Sequence, residues 1–422
     1  KTFRMRGHEE ASGTKYVPKE LFEEWGAKDP IMNYEAYLME QGVLSAKQIM
    51  EIRQQQKEEI EKEIQKGFES APININIENE LRDVYAEKIT DGGWQLTAGA
   101  PSTEKRFIDA IKEGLHQSMQ QHPNLVLMGQ DIAEYGGAFK ITEGFVEEFG
   151  KARVRNTPLC ESAIVGAALG LSLEGFKSVM EMQFADFVTV GFNQIINNLA
   201  KIHYRWGQNA DVVIRMPTGA GVGAGPFHSQ SNEAWFVHTP GLKVVYPSTP
   251  EDAKGLLIAA INDPNPVLYF EHKALYRSVS GPVPESYYEV EIGKARHVRS
   301  GDEISIITYG AGVHWAEDYA AEHPEISIDI LDLRTLLPLD YEAIKAAVQR
   351  TGKVLILHED TLTGGIGGEL AAWIAEHCFE YLDAPVLRCT SLDTPVPFNI
   401  ELEKAFLAKS RLHATIENLL SY

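Results

Sequence analysis

The stretch "ESAIVGAALGLSLEGFKSVMEMQF", residues 161–184, decides the fold class. Its first part, Glu161–Gly175, is made almost wholly of Ala, Gly, Ile, Val and Leu and reads as a helix. "KSVMEMQF", residues 177–184, is a short apolar run that reads as a strand. A strand apolar on both faces is a strand covered on both faces, as in a parallel sheet layered with helices.

The same unit recurs outward in both directions. Helix "EKRFIDAIKEGLHQSMQQHP" (104–123) precedes strand "NLVLMGQDI" (124–132), and helix "FVTVGFNQIINNLAKIHYRWG" (187–207) precedes "DVVIRMP" (211–217). The later runs "KVVYPST", "PVLYFEH", "EISIITYG", "ISIDILDLRT" and "KVLILHED" alternate with helical periods. The expectation is α/β: two doubly wound, mainly parallel three-layer domains over 103–282 and 283–422. The segment "SVSGPVPESYYEVEIGKARHVRSGD" (278–302) interrupts the alternation and reads as the crossover between them.

Residues 1–88 are of another kind, mostly helical over 19–70, with Ser45 as a cap and Ile49, Ile52, Ile60 and Ile64 forming one stripe expected to be buried. The opening "KTFRMRGHEEASG" alternates like a strand. Residues 89–102, with Gly92-Gly93 and a Gly-Ala-Pro-Ser run, have the chemistry of a linker.

A net charge of −21 argues against nucleic acid, which needs a basic surface, and permits a basic protein partner. The longest apolar stretches fall short of about 18 residues, so no membrane span is expected. Cys160, Cys378 and Cys389 lack CxxC spacing, which points to a reducing cytoplasm.

Three Gly-rich loops follow strands: "GQDIAEYGGAF", "MPTGAGVGAGPFHSQS" and "HEDTLTGGIGGE". None has the spacing of a dinucleotide fingerprint. Glu161 stands in the first turn of an apolar helix, where a carboxylate complements the helix N-terminus. Desolvation there would equally suit it to hold or relay a proton. His228 sits in a loop without a local carboxylate partner, Phe184 and Phe187 read as core aromatics, and Cys160 as structural. Asp263 and Asn265 form either a turn or a hard-cation cage.

From Thr103 onward the chain resembles the β subunit of thiamine-diphosphate (ThDP)-dependent 2-oxo acid dehydrogenase E1 components. The resemblance rests on "LMGQDIAEYGGAFK", "NTPLCESAIVGAALG", "HSQSNEAWFVHTPGLKVVYPSTPEDAKGLL", "DLRTLLPLD" and "DTPVPF". "MQFADF", "HEDTLTGG" and "DTPVP" lean to the branched-chain (2-oxoisovalerate) type. Residues 1–88, through "TFRMRGH" and "LRDVYAE", resemble the C-terminal end of the α subunit, so the chain looks like an α-type tail fused to a β-type subunit.

The resemblance implies a pyrimidine-binding domain and a transketolase C-terminal-like domain. It implies decarboxylation of a branched-chain 2-oxo acid and reductive acylation of the lipoyl group of E2. Glu161 then bonds the aminopyrimidine of ThDP and promotes loss of the cofactor's C2 proton, Phe187 packs on the pyrimidine, and His228 is a proton donor near the reacting carbon. Gln130 and Tyr135 belong to the cofactor loop, Gln183 lies close to the substrate, and His8 reaches the diphosphate. Val212, Ala260, Asp263 and Asn265 match a K+ site, mostly through carbonyls.

The family's Gly-Asp-Gly motif for Mg2+ and diphosphate does not occur in the chain. The expectation is therefore a Mg2+ site outside it, no complete turnover by the chain alone, and residues 1–18 poorly packed or rearranged. Glu9 stands where animal relatives have a kinase-regulated Ser. The implied partners are a second copy, in a dimer equivalent to α2β2, and the E2 acyltransferase. Pyruvate dehydrogenase E1, a transketolase-like enzyme and a non-catalytic E2-docking portion are the competing readings.

Overall fold

Nearly all-apolar strands exclude water only when other strands flank them and helices cover both faces, and the computed structural model arranges them so. It describes residues 2–88, 94, 95 and 99–422. The expected linker, 89–102, lies largely outside the described residues. The chain divides into two units, Lys1–Asn76 and Ile77–Tyr422.

The first unit carries α1 (Lys19–Gly26), α2 (Pro30–Glu40) and α3 (Ala46–Glu69). Asp29 caps α2 by accepting from the Ile31 and Met32 amides, and Ser45 and Gln48 form a reciprocal capping box on α3. The buried stripe expected on α3 is not buried. Only Ile49 is covered, whereas Ile52, Ile60 and Ile64 are exposed. At about 1.5 Å per residue, α1 and α2 are each less than half as long as α3 and cannot cover its whole length; α2 is tied to it near its start, where Arg53 pairs with Glu35 at 2.6 Å. The opening residues form no strand. Phe3 instead packs with Phe22 and Trp25, at 5.5 and 5.8 Å between ring centroids, so this segment is anchored rather than loose.

In the second unit the strands are, in chain order, β1 (Ser102–Arg106), β2 (Leu125–Gly129), β3 (Val154–Asn156), β4 (Lys177–Glu181), β5 (Val212–Thr218), β6 (Lys243–Val245) and β7 (Val267–His272). There follow β8 (Ser280–Pro284), β9 (Arg296–Arg299), β10 (Ile304–Thr308), β11 (Ile328–Asp332), β12 (Thr335–Leu337), β13 (Val354–Thr361) and β14 (Leu387–Ser391). One sheet has the order β12-β6-β7-β5-β4-β2-β3 and a second the order β14-β13-β10-β11-β9; β1 and β8 form a separate antiparallel pair. Only the edge strands β12 and β9 run antiparallel within the two large sheets. The mainly parallel, doubly wound architecture is therefore as expected from the sequence.

Two readings change. "ISIDILDLRT" is not one strand: β11 ends at Asp332, Arg334 turns at φ +57°, and β12 leaves to pair with β6 of the other sheet. Arg334 reaches Asp252 at 2.6 Å, and Arg296 bridges Asp252 and Asp332, so buried ion pairs hold the crossing. The helix expected over 187–207 is broken into short segments, with a π-helical turn at Gln194–Asn198. The two sheets share a core in which Met180, Ile214 and Phe270 of the first join Ile307, Leu331 and Ile356 of the second.

Gly241, two residues before β6, has φ +93°, and a Cβ there would lie 1.8 Å from the Ala200 carbonyl oxygen. Both the left-handed backbone and the backbone clash oppose a side chain. Gly241→Ala should lower unfolding stability by at least about 2 kcal/mol in a denaturant titration; an unchanged midpoint would contradict this packing.

Candidate active site

Because β3, β2, β4, β5 and β7 run side by side in parallel, the loops leaving their C-terminal ends gather along one edge of the sheet. Open α/β sheets bind their ligands at that edge. Gln130 follows β2, Glu161 opens the helix Glu161–Leu173 after β3, Gln183 and Phe187 follow β4, and His228 lies in the loop after β5.

Glu161 is 6% exposed at the head of its helix. Gln130 donates from Nε2 to Glu161 Oε1 at 2.9 Å, the one hydrogen bond to this carboxylate among the described residues. Its second oxygen accepts none among the described residues. Gly191 packs against the same turn, where a Cβ would meet Val165 at 3.2 Å and the Glu161 carbonyl at 3.6 Å.

Phe184, Phe187 and His228 form an aromatic group. The His228 ring meets Phe184 edge-on at 4.8 Å and Phe187 at 5.6 Å between centroids, so the two phenylalanines are half-buried walls rather than core. Behind them Asp186 accepts from the Gln230 amide at 3.2 Å and leaves Oδ2 unpartnered; burial raises its pKa above the ordinary carboxylate value. Lys273, directly after β7, donates to the Gly219 carbonyl at 2.8 Å, and burial brings its pKa down to about 8.

Beneath the edge lies a fully buried triad. Arg215 of β5 donates to Glu181 Oε2 at 2.7 Å and, through a two-pronged contact, to Glu271 at 2.6 and 2.8 Å. Tyr276 adds its hydroxyl to Glu271 at 2.7 Å. Burial raises the Glu181 pKa, and its free Oε1 lies 3.3 Å from where a Cβ on Gly137 of the "EYGGAF" loop would sit. These partners escaped the sequence reading, although an Arg inside the apolar run "DVVIRMP" was their signal, since a buried cation demands them.

The residues expected at a cation site lie apart from this edge. Val212, Asp263 and Asn265 stand at the opposite, N-terminal ends of β5 and β7. Asp263 already accepts from Lys243 Nζ at 2.6 Å and from Asn265, while Asn265 exchanges two hydrogen bonds with the Ala86 backbone at 2.7 and 2.9 Å. Ala260 offers its carbonyl to the Asp263 amide. An ammonium and amides thus take the side-chain oxygens of Asp263 and Asn265, which dock the segment around Ala86, and a K+ ion here would rest on main-chain carbonyls. Tyr135 is exposed with the Lys140 ammonium 3.2 Å over its ring. His8 is exposed and bonds Ser12 Oγ at 2.8 Å. Cys160 is exposed, not packed.

A second titratable group gathers where β10 and β13 diverge. Glu233 accepts from the Tyr309 hydroxyl at 2.7 Å and leaves Oε2 unpartnered. Burial, then repulsion from Asp360, pushes its pKa up to about 8, and burial pushes Asp360 to about 6. Neighbouring His358 is lowered to about 4 by burial.

Known families match along almost the whole chain. The pyrimidine binding domain of transketolase matches residues 104–279, the transketolase C-terminal domain 293–411, and the dehydrogenase E1 component 1–75. The 2-oxoisovalerate dehydrogenase subunit beta of Bacillus subtilis (strain 168) is 46% identical over 75% of this chain and 98% of its own length. The mitochondrial subunit beta 2 of the same dehydrogenase from Arabidopsis thaliana is 45% identical over 69% of this chain and 83% of its own. The pyruvate dehydrogenase E1 component subunit beta of B. subtilis is 44% identical over 69% of this chain and 91% of its own. A solved split-gene transketolase, an inactive β4 tetramer, shares the fold, with a TM-score of 0.63 at 21% identity over 75% of this chain and 98% of its own.

A carboxyl raised from 4.5 to about 8 by folding binds a proton that the unfolded chain releases. Its contribution to stability is complete below pH 4.5 and is lost as pH rises through about 8. Glu233→Gln keeps an acceptor for Tyr309 and removes the titration. Melting temperatures across that window should therefore fall less steeply for the variant; parallel curves would refute the assignment.

Proposed function

The chain belongs to the 2-oxo acid dehydrogenase E1 family, and on that premise we propose that it carries the pyrimidine side of a ThDP site acting on a branched-chain 2-oxo acid. The observation that carries the reading is Glu161, a buried carboxylate at a helix N-terminus with Gln130 on one oxygen and the other free. The chemistry of this donor set fits an aminopyrimidine, which offers ring nitrogen and amino group to a carboxylate and a flat face to Phe187.

Bound ThDP supplies an electron sink for the pair released when a 2-oxo acid loses CO2. Glu161 holds a proton on its free oxygen toward the pyrimidine nitrogen, while the Gln130 amide keeps that carboxyl oriented. Phe184 and Phe187 exclude water beside His228. His228 donates a proton near the reacting carbon and faces the incoming lipoyl group of E2.

Among the described residues no group of three or more His, Cys, Asp or Glu side chains is placed to hold a metal ion. The reading assigns Mg2+ and diphosphate, which need hard oxygen ligands, to an α-type domain acting with this one, on the ground that the family's Gly-Asp-Gly motif does not occur in this sequence. The active assembly is a dimer of such pairs, docked on E2. Among the described residues no helix is long and apolar enough to cross a membrane. The preference for branched over pyruvate-like substrates rests on "MQFADF" and "HEDTLTGG", with 2-oxoisovalerate enzymes prominent among the relatives.

In the ThDP- and Mg2+-loaded assembly, Glu161→Gln should cut turnover of 3-methyl-2-oxobutanoate by about 10²-fold or more, with a smaller change in KM. Pyruvate assayed alongside should be the poorer substrate. Equal or better use of pyruvate would overturn the branched-chain assignment, and full activity of Glu161→Gln would overturn the site.

A further inference from the structure

We propose that Glu359 and Glu403, both from the C-terminal sheet domain, are positioning residues that clamp the Gly-rich loop 219–230 by its backbone and so set the place of His228. The inference rests on the role given to His228 above.

In that loop Gly219, Gly221, Gly223 and Gly225 all have positive φ, between +69° and +90°. Consecutive amides in such conformations converge and form a concave seat for an anion. Here the anions are the protein's own carboxylates. Ala220 donates to Glu359 Oε1 at 2.6 Å, Gly221 to Glu403 Oε1 at 2.9 Å, and Gly223 to Glu403 Oε2 at 3.1 Å. Both glutamates are buried, at 6% and 3% exposure. They come from β13 and from the helix Ile400–Phe406.

Glu359 ties both ends of the loop, because Ser231 Oγ also donates to its Oε1 at 3.2 Å. His272 pairs with the other oxygen at 2.7 Å. Burial opposes ionisation of Glu359, but His272 and the Ala220 amide outweigh it and lower its pKa. The neck closes where the Thr218 hydroxyl donates to the Gln230 carbonyl at 2.7 Å. At the tip a Cβ on Gly225 would lie 2.2 Å from the Phe398 ring, so the loop lies flat on the C-terminal domain.

Among the described residues the His228 side chain makes ring contacts but no hydrogen bond of its own. Its placement therefore depends on the loop backbone. That backbone is held by amide-to-carboxylate bonds, which any loop side chain would be unable to replace. The same occupancy denies the seat to a phosphate.

Hydrogen exchange on the full chain tests this directly. Glu403→Ala should raise exchange over residues 219–230 at least about tenfold, leave β10 and β11 unchanged, and hold its melting temperature within a few degrees. Glu403→Gln, whose amide oxygen still accepts, should restore most of the protection. Gly225→Ala leaves both carboxylates in place, lifts the loop from Phe398, and should give the same local signature if Glu403→Ala does not fold. In the loaded assembly Glu403→Ala should lower kcat about tenfold or more with little change in KM, and Glu403→Gln should recover it. Unchanged exchange over 219–230, or an equal rise over β10 and β11, would overturn the clamp. Full turnover by His228→Ala would instead remove the role of His228 and leave the exchange result to decide the clamp.

Discussion

The guanidinium of Arg215 is the constraint on which the rest of the site depends. It lies in the middle strand of the seven-stranded sheet, wholly out of water, and only the carboxylates of Glu181 and Glu271 on the flanking strands make that burial tolerable. Those three residues lock β4, β5 and β7 together just below their C-terminal ends. The loops that carry Gln130, Glu161, Gln183, Phe187 and His228 leave from that locked edge or from the neighbouring β2 and β3. Removing one partner would leave an uncompensated charge, an error of roughly 3–5 kcal/mol.

Above that edge the glycine-rich loop illustrates how a motif and its meaning can separate. The glycines lack the spacing of a nucleotide fingerprint, yet their left-handed backbones do make the kind of concave seat that holds an anion. Two buried glutamates from another domain occupy it. The second sheet thus serves the first in two ways, supplying β12 to its edge and carboxylates to its functional loop. Both contacts join parts of the chain 90 or more residues apart.

Some of this was legible in the residues. Alternating apolar strands and helices pointed to two mainly parallel sheets because burial on both faces leaves no polar position to write. Glu161 stood out as the lone acid at the head of an apolar helix, and it does lie buried there. Other readings failed for a physical reason. Ile52, Ile60 and Ile64 have the spacing of a buried face, but spacing says which side could be covered and not whether a neighbour is long enough to cover it. The side-chain oxygens of Asp263 and Asn265 could read as a cation cage, but Lys243 and the Ala86 backbone take them, leaving only main-chain carbonyls for that role. "DLRT" continues an apolar strand in sequence, and only the ion pairs of Asp252 and Asp332 with Arg334 and Arg296 show why the chain turns there.

The amino-acid sequence by itself determined the layers, the order of helices and strands, and the family, since these follow from local periodicity and from runs of residues read in order. The tertiary structure alone decided which charges neutralise one another, which amides meet which carboxylates, and which apolar faces stay open. Those outcomes depend on distances between residues far apart in the chain. Electrostatic and hydrogen-bonding energies change steeply over an ångström or two, a scale that one-dimensional order does not encode.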